Sequence, residues 1–304
     1  MKIQKIIFFL ICLSLLSGFL NSPTALVLGI LFTIIFPTKL QIKNWIKYLL
    51  QVAVVGLGFG MVITETIQTS QEGFLLTLLS ITFTLSLGLL LIKVFELDKK
   101  LGHLITSGTS ICGGSAIAAI APIIKADGKI ISLALGVVFL LNSVALFVFP
   151  VIGHQLDLSQ GQFGMWCAVA IHDTSSVVGA ALGYGDEALK VATTIKLSRV
   201  LWIIPLSFLS MYWFKNKDRK IKVPFFIQAF VVAILLNSFE FLPVKFSEVA
   251  VLISKRLMLV TLFLVGTTLS INDIREAGVK PILFASVLWV SVSILSLTYI
   301  MVFN

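Results

Sequence analysis

Apolar runs separated by short polar stretches repeat along the whole chain. Charges and prolines delimit them at 6–20, 24–37, 48–66, 73–92, 101–124, 130–152, 162–185, 193–214, 224–240, 250–271 and 281–303. A helix rises 1.5 Å per residue, so about 20 residues cross a hydrocarbon core of about 30 Å. The pattern therefore predicts an all-α integral membrane protein with about 10–11 transmembrane helices. The second run is short, bounded by Pro23 and Pro37. The opening, "MKIQKIIFFLICLSLLSGFL", has the basic start and apolar core of a signal peptide. No small-x-small cleavage site is clear, and another apolar run follows at once, so residues 1–22 are read as an uncleaved extra helix.

Lysine and arginine orient the runs. Lys2 and Lys5 precede the first; Lys39, Lys43 and Lys47 follow the second; Lys93, Lys99 and Lys100 follow the fourth. "KNKDRKIK" follows the eighth, and Arg275 and Lys280 follow the tenth. These loops share one side if the N-terminus is cytoplasmic and the C-terminus outside, as in a multi-pass protein of the cell inner membrane. Lys125 and Lys129 depart from the rule, and the loop 153–161 carries no Lys or Arg.

Two internal similarities stand out. "YLLQVAVVGLGFGMVITETI" from Tyr48 aligns without gaps with "RLMLVTLFLVGTTLSINDIR" from Arg256, matching Gly58 to Gly266, Ile63 to Ile271 and Glu65 to Asp273. An odd number of runs separates the copies, so they would cross in opposite senses, as inverted repeats of secondary transporters do. This predicts one polytopic domain, 1–304, with a first repeat at 23–152 and a second, order-permuted, at 162–304. The other similarity matches Thr109 and Ser110 to Thr174 and Ser175. There the count of runs gives the same sense. Either a crossing between Gly128 and Asp173 escapes the count, or the likeness is one of composition.

These polar stretches carry the candidate chemistry. "SGTSICGGSAIAAIAP" places Gly108, Gly113 and Gly114 inside an apolar run with Thr109, Ser110, Cys112 and Ser115. Every backbone polar group in hydrocarbon needs a partner, so such a break is tolerated only within protein or beside a wet cavity. A helix restarting near Gly113 would aim free N–H groups at mid-membrane, where an anion suits them. Close helix packing through small residues is the competing explanation. "AIHDTSSVVGAALGYGDEA" adds His172, Asp173, Thr174, Ser175 and Ser176. Ionisable groups at this depth cost roughly 2.5–3.5 kcal/mol each and are kept mainly where they face an interior or a pathway. Lys196 and Arg199 are three apart and share a helical face. They either snorkel to an interface or face inward to balance Asp173 or an anionic solute.

Composition agrees with a bilayer solvent: 58% of the 304 residues are hydrophobic and only 12% charged, against about a quarter charged in soluble domains. The formal charge of +9 sits in short clusters between apolar runs and marks topology, not nucleic acid. Cys12, Cys112 and Cys167 show no metal or disulfide spacing, so no metal site and no cofactor are expected. No GxxxxGK[ST] phosphate loop is present. An ion gradient would then supply the energy, with H⁺ (through His172 and Asp173) or Na⁺ (on hydroxyls and carbonyls) as coupling ion.

Together the motifs "SGTSICGGSAIAAIAP", "HDTSSVVGAA" and "VATTIKLSRVLWI" resemble the YeiH-type sulfate exporter family, grouped with the bile acid, arsenite and riboflavin transporters. "LFLVGTTLSINDIR" is similar to the glycine-rich panel helix of the bile acid group. The resemblance implies inverted repeats with two broken helices crossing near the substrate, one lined by Thr109, Ser110, Gly113, Gly114 and Ser115, the other by His172, Asp173, Thr174 and Ser175. It implies secondary active transport of a small anion such as sulfate or an organic sulfonate. The bilayer and that anion are the expected partners, and a homodimer is left open. A passive channel or a subunit of a complex is the alternative. An intramembrane hydrolase built on His172, Asp173 and Ser175 fits less well, because neighbours on a helix point apart and no GxSxG or HExxH motif is present.

Overall fold

A computed structural model of the chain describes residues 2–17, 20, 22–36, 43–215, 225–268 and 278–303. Among these residues the regular structure is all helical: α1 (Lys2–Ser17), α2 (Ser22–Ile35), α3 (Lys43–Gly58), α4 (Ile63–Glu72), α5 (Phe74–Val94), α6 (Lys99–Ser110), α7 (Gly114–Ile120), α8 (Gly128–Gln155), α9 (Gln160–Ala170), α10 (Thr174–Tyr184), α11 (Asp186–Val200), α12 (Ile203–Trp213), α13 (Phe225–Ser238), α14 (Val244–Thr268) and α15 (Val279–Phe303). Phe74–Val94, Gly128–Gln155, Asp186–Trp213 and Val279–Phe303 are long and apolar enough to cross a bilayer alone. Lys39, most of the "KNKDRKIK" loop, Ile271, Asp273 and Arg275 lie outside the described residues.

The expected run 48–66 is cut short. α3 ends at Gly58, the chain turns, and α4 leaves at 112° to the end of α3. The turn is held from α13: Asn237 Nδ2 donates to the Met61 carbonyl at 3.1 Å, and the Ile63 N–H donates to Ser238 Oγ at 2.8 Å. α4 is amphipathic in sequence and buries none of its residues, which is why a count of apolar residues misplaces the boundary.

Both polar breaks fall where the sequence puts them, between α6 and α7 and between α9 and α10, and each reverses the chain. Lys100, in the first turn of α6, donates from Nζ to the carbonyl of Lys125, beyond α7, at 2.7 Å. A continuous helix would separate these residues by about 37 Å. Gln160, at the start of α9, accepts from the Glu187 N–H at 3.0 Å, and Tyr184 Oη donates to the Leu158 carbonyl at 2.7 Å. Phe163 and Tyr184 stack at 3.7 Å across the same base. Each broken pair is thus a re-entrant hairpin, dipping in and returning to the face it left.

α8 joins the two hairpin bases. Its first residue follows Lys125 closely, and its last turn places His154 against Tyr184, ring centroids 4.4 Å apart. At 28 residues it is about 42 Å long, so the hairpins enter from opposite faces. Lys93, Lys99, Lys100, Lys125 and Lys129 then share one face, and the loop 153–161 lies at the other. The lysines that broke the charge rule obey it once the first hairpin turns back. The entering arms α6 and α9 also run in opposite senses. The gapless match of Thr109 and Ser110 to Thr174 and Ser175 is compositional: the first pair closes an entering arm, the second opens a returning one.

Side-chain caps set these starts. Asp98 accepts from the N–H groups of Lys100 and Leu101 to open α6, and Asp127 accepts from Ile130 to open α8. Ser159 and Gln162 form a capping box on α9; each such cap contributes about 1 kcal/mol. Around the hairpins pack α5, α8, α11, α12 and α15. Beside them α2, α3, α13 and α14 pack through glycines. A Cβ on Gly29 would lie 2.1 Å from the Phe263 carbonyl oxygen, and one on Gly58 2.9 Å from that of Phe230. This supports packing as the role of Gly58 in "VGLGFGM".

Candidate functional site

The hairpin tips meet at mid-depth. A Cβ built on Gly113 would sit 3.1 Å from the His172 carbonyl oxygen and 3.4 Å from Asp173 Cα. Gly113 has φ +62°, a backbone region that L side chains rarely adopt, so glycine answers both the turn and the close approach. Asn142, midway along α8, accepts from the His172 N–H through Oδ1 at 2.9 Å.

Both entering arms expose carbonyls at their C-terminal ends, and α11 supplies a cation to each. Lys196 Nζ donates to the carbonyls of Ala168 (3.2 Å) and Ile171 (2.8 Å), ending α9. Arg199 Nη2 donates to the Ser110 carbonyl at 2.7 Å, ending α6, while Nη1 donates to Ser80 Oγ at 2.8 Å. Trp289 Nε1, from α15, takes the Ala170 carbonyl at 3.1 Å. A positive charge at a helix C-terminus is favourable, and these contacts supply partners that water would provide in a loop. His172, Lys196 and Arg199 are all 0% exposed. Neither cation snorkels.

The returning arms differ. Asp173 caps α10, accepting from the N–H groups of Ser175 (3.0 Å) and Ser176 (3.3 Å) and from the Ser175 hydroxyl. α7 opens at Gly114 with no side-chain cap, as the glycine pair suggested. Thr174, Ser175 and Ser176 are buried in the first turn of α10, and Cys112 is buried in the first tip. Gly114 is half-buried and Ser115 exposed, so Ser115 stands apart from the buried cluster.

Around the tips lie buried polar atoms without a protein partner: Thr109 Oγ1, Asn142 Nδ2, both ring nitrogens of His172, Arg199 Nε and, one turn before Ser80, Thr77 Oγ1. Unpartnered buried polar groups are costly and rare, which makes these atoms the candidate contacts for a polar occupant. Lys196 and Arg199 thus bring two basic side chains to the tips, and Asp173 one carboxylate. No group of three His, Cys, Asp or Glu among the described residues could hold a metal ion. His172 makes no side-chain bond to Asp173 or Ser175, so the base-to-nucleophile contact of a hydrolase is missing. The residues the sequence singled out come together here, apart from Ser115. Ser80, Thr77 and Trp289 carried no sequence signal, because hydroxyls and indoles are common in apolar helices. Asn142, an amide within an apolar run, did.

Fold and site define an all-α integral membrane protein built around two opposed re-entrant hairpins with a closed polar centre. The family described as conserved hypothetical protein 698 matches residues 5–285, and the chain belongs to it. It is 51% identical over 300 residues to a UPF0324 membrane protein of Photobacterium profundum, covering 97% of this chain and 91% of that one. It is 46% identical to a UPF0324 membrane protein of Bacteroides thetaiotaomicron (93% and 87% covered) and 45% identical to one of Shewanella oneidensis (99% and 96%). No solved structure matches.

Proposed function

We propose that this protein is a secondary active transporter of a small anion, sulfate or an organic sulfonate, in the cell inner membrane, with the lysine-bearing face cytoplasmic. The observation that carries the reading is the enclosure of Lys196 and Arg199 at the tip-to-tip contact beside unpartnered polar groups. Two cations against one carboxylate favour a negative solute, and Arg199 Nε and Asn142 Nδ2 are free donors for its oxygens. Entry of the hairpins from opposite faces supports alternating access: withdrawing one tip opens the centre to one face while the other stays shut. The YeiH-type exporter resemblance agrees with the substrate class. The lack of a His172 contact to Asp173 or Ser175 counts against hydrolysis.

The test is flux in liposomes holding purified protein, with labelled sulfate and a labelled alkylsulfonate under imposed proton or sodium gradients. Saturable, counter-anion-stimulated flux is expected. Lys196→Ala and Arg199→Ala should each slow it by about tenfold or more, since a lost charge-assisted bond is worth roughly 1.5–3 kcal/mol. Wild-type rates in both correctly inserted variants would refute the anion role; flux without saturation would favour a channel.

A further inference from the structure

Half-helix C-termini and unwound carbonyls in membrane carriers are where a coupling Na⁺ is held. At both tips here carbonyls ending the entering arms already have donors. On α9, Lys196 holds those of Ala168 and Ile171, and Trp289 holds that of Ala170. On α6, Arg199 holds that of Ser110, the Gly113 N–H that of Gly108 at 2.8 Å, and Ser110 Oγ that of Ser107 at 3.0 Å. One oxygen of the nearby carboxylate, Asp173 Oδ2, is engaged by Ser175 and Ser176. The carbonyls of Ala168, Ile171 and Ser110, which a hard cation would gather at the ends of the entering arms, are thus committed to tethered ammonium and guanidinium groups.

We infer that Lys196 and Arg199 are built-in counter-cations standing where a coupling sodium would bind, so the anion cycle runs without sodium. This deepens the transport reading and rests on it. With both tips closed the ends of α6 and α9 are neutralised, and the anion is met by fixed positive charge instead of a co-bound ion. Of the two gradients considered, only protons remain for coupling.

Two measurements decide this. In the first, purified protein in detergent is melted in matched sodium, potassium and choline chloride. Wild type should show no sodium-specific rise in melting temperature. Lys196→Met, which empties the α9 position but keeps the side-chain bulk, should melt lower and regain stability selectively in sodium. A sodium-specific rise in wild type, or a folded Lys196→Met indifferent to sodium, overturns the inference; if that variant does not fold, the wild-type comparison decides alone. In the second, liposome flux is measured with choline replacing sodium on both sides. Unchanged initial rates support the inference, and a sodium requirement sinks it while leaving anion transport standing. Absence of any flux refutes the transport reading, and the melting comparison still decides whether the tips hold sodium.

Discussion

At the scale of single residues, Asn142 and Gly113 show how a break in a membrane helix is kept. Asn142 Oδ1 takes the N–H that the α9–α10 tip leaves over. Asn142→Ala strands that N–H in the protein interior, at a cost of about 1–3 kcal/mol. The melting temperature in detergent should fall, whereas Ser143→Ala, on the same helix, should change it little. Gly113→Ala places a methyl 3.1 Å from the His172 carbonyl oxygen at φ +62°. It should insert normally yet lose flux, because the strained backbone and the added methyl push the tips apart; wild-type flux would show that their close contact is dispensable. Both glycines and both charged motifs were legible in the sequence, because polar residues amid apolar ones are conspicuous. The carbonyls held by Lys196 and Arg199 were not, since spacing gives a shared face but not what that face meets.

At the scale of elements, the breaks were legible and their geometry was not. Local composition reports depth in the membrane; it says nothing of whether the chain goes on or comes back. The signal was in the charges: Lys125 and Lys129 sat on the wrong side only while 101–124 was taken to cross. A cysteine scan tests the topology directly. With Cys12, Cys112 and Cys167 replaced, cysteines introduced singly for Lys99 and Lys125 should react with an impermeant maleimide from the same face, and one for Ser159 from the opposite face. Labelling of Lys99→Cys and Lys125→Cys from opposite faces would restore a simple crossing. The α3–α4 bend escaped the sequence for a different reason: α4 buries no residue, so burial patterning has nothing to mark its start.

At the scale of the whole molecule, a single helix serves both tips. Lys196 and Arg199 lie one turn apart on α11, each holding the arm that enters from a different face. Withdrawing either hairpin takes from one of these side chains its hydrogen bond to a carbonyl, a loss of about 1.5–3 kcal/mol for a bond to a charged group. Releasing both at once would double that burden. In the proposed transport cycle the shared shaft therefore acts as an interlock: it favours conformations with at least one door shut, so the same two side chains proposed to attract the anion would suppress a continuous leak across the bilayer.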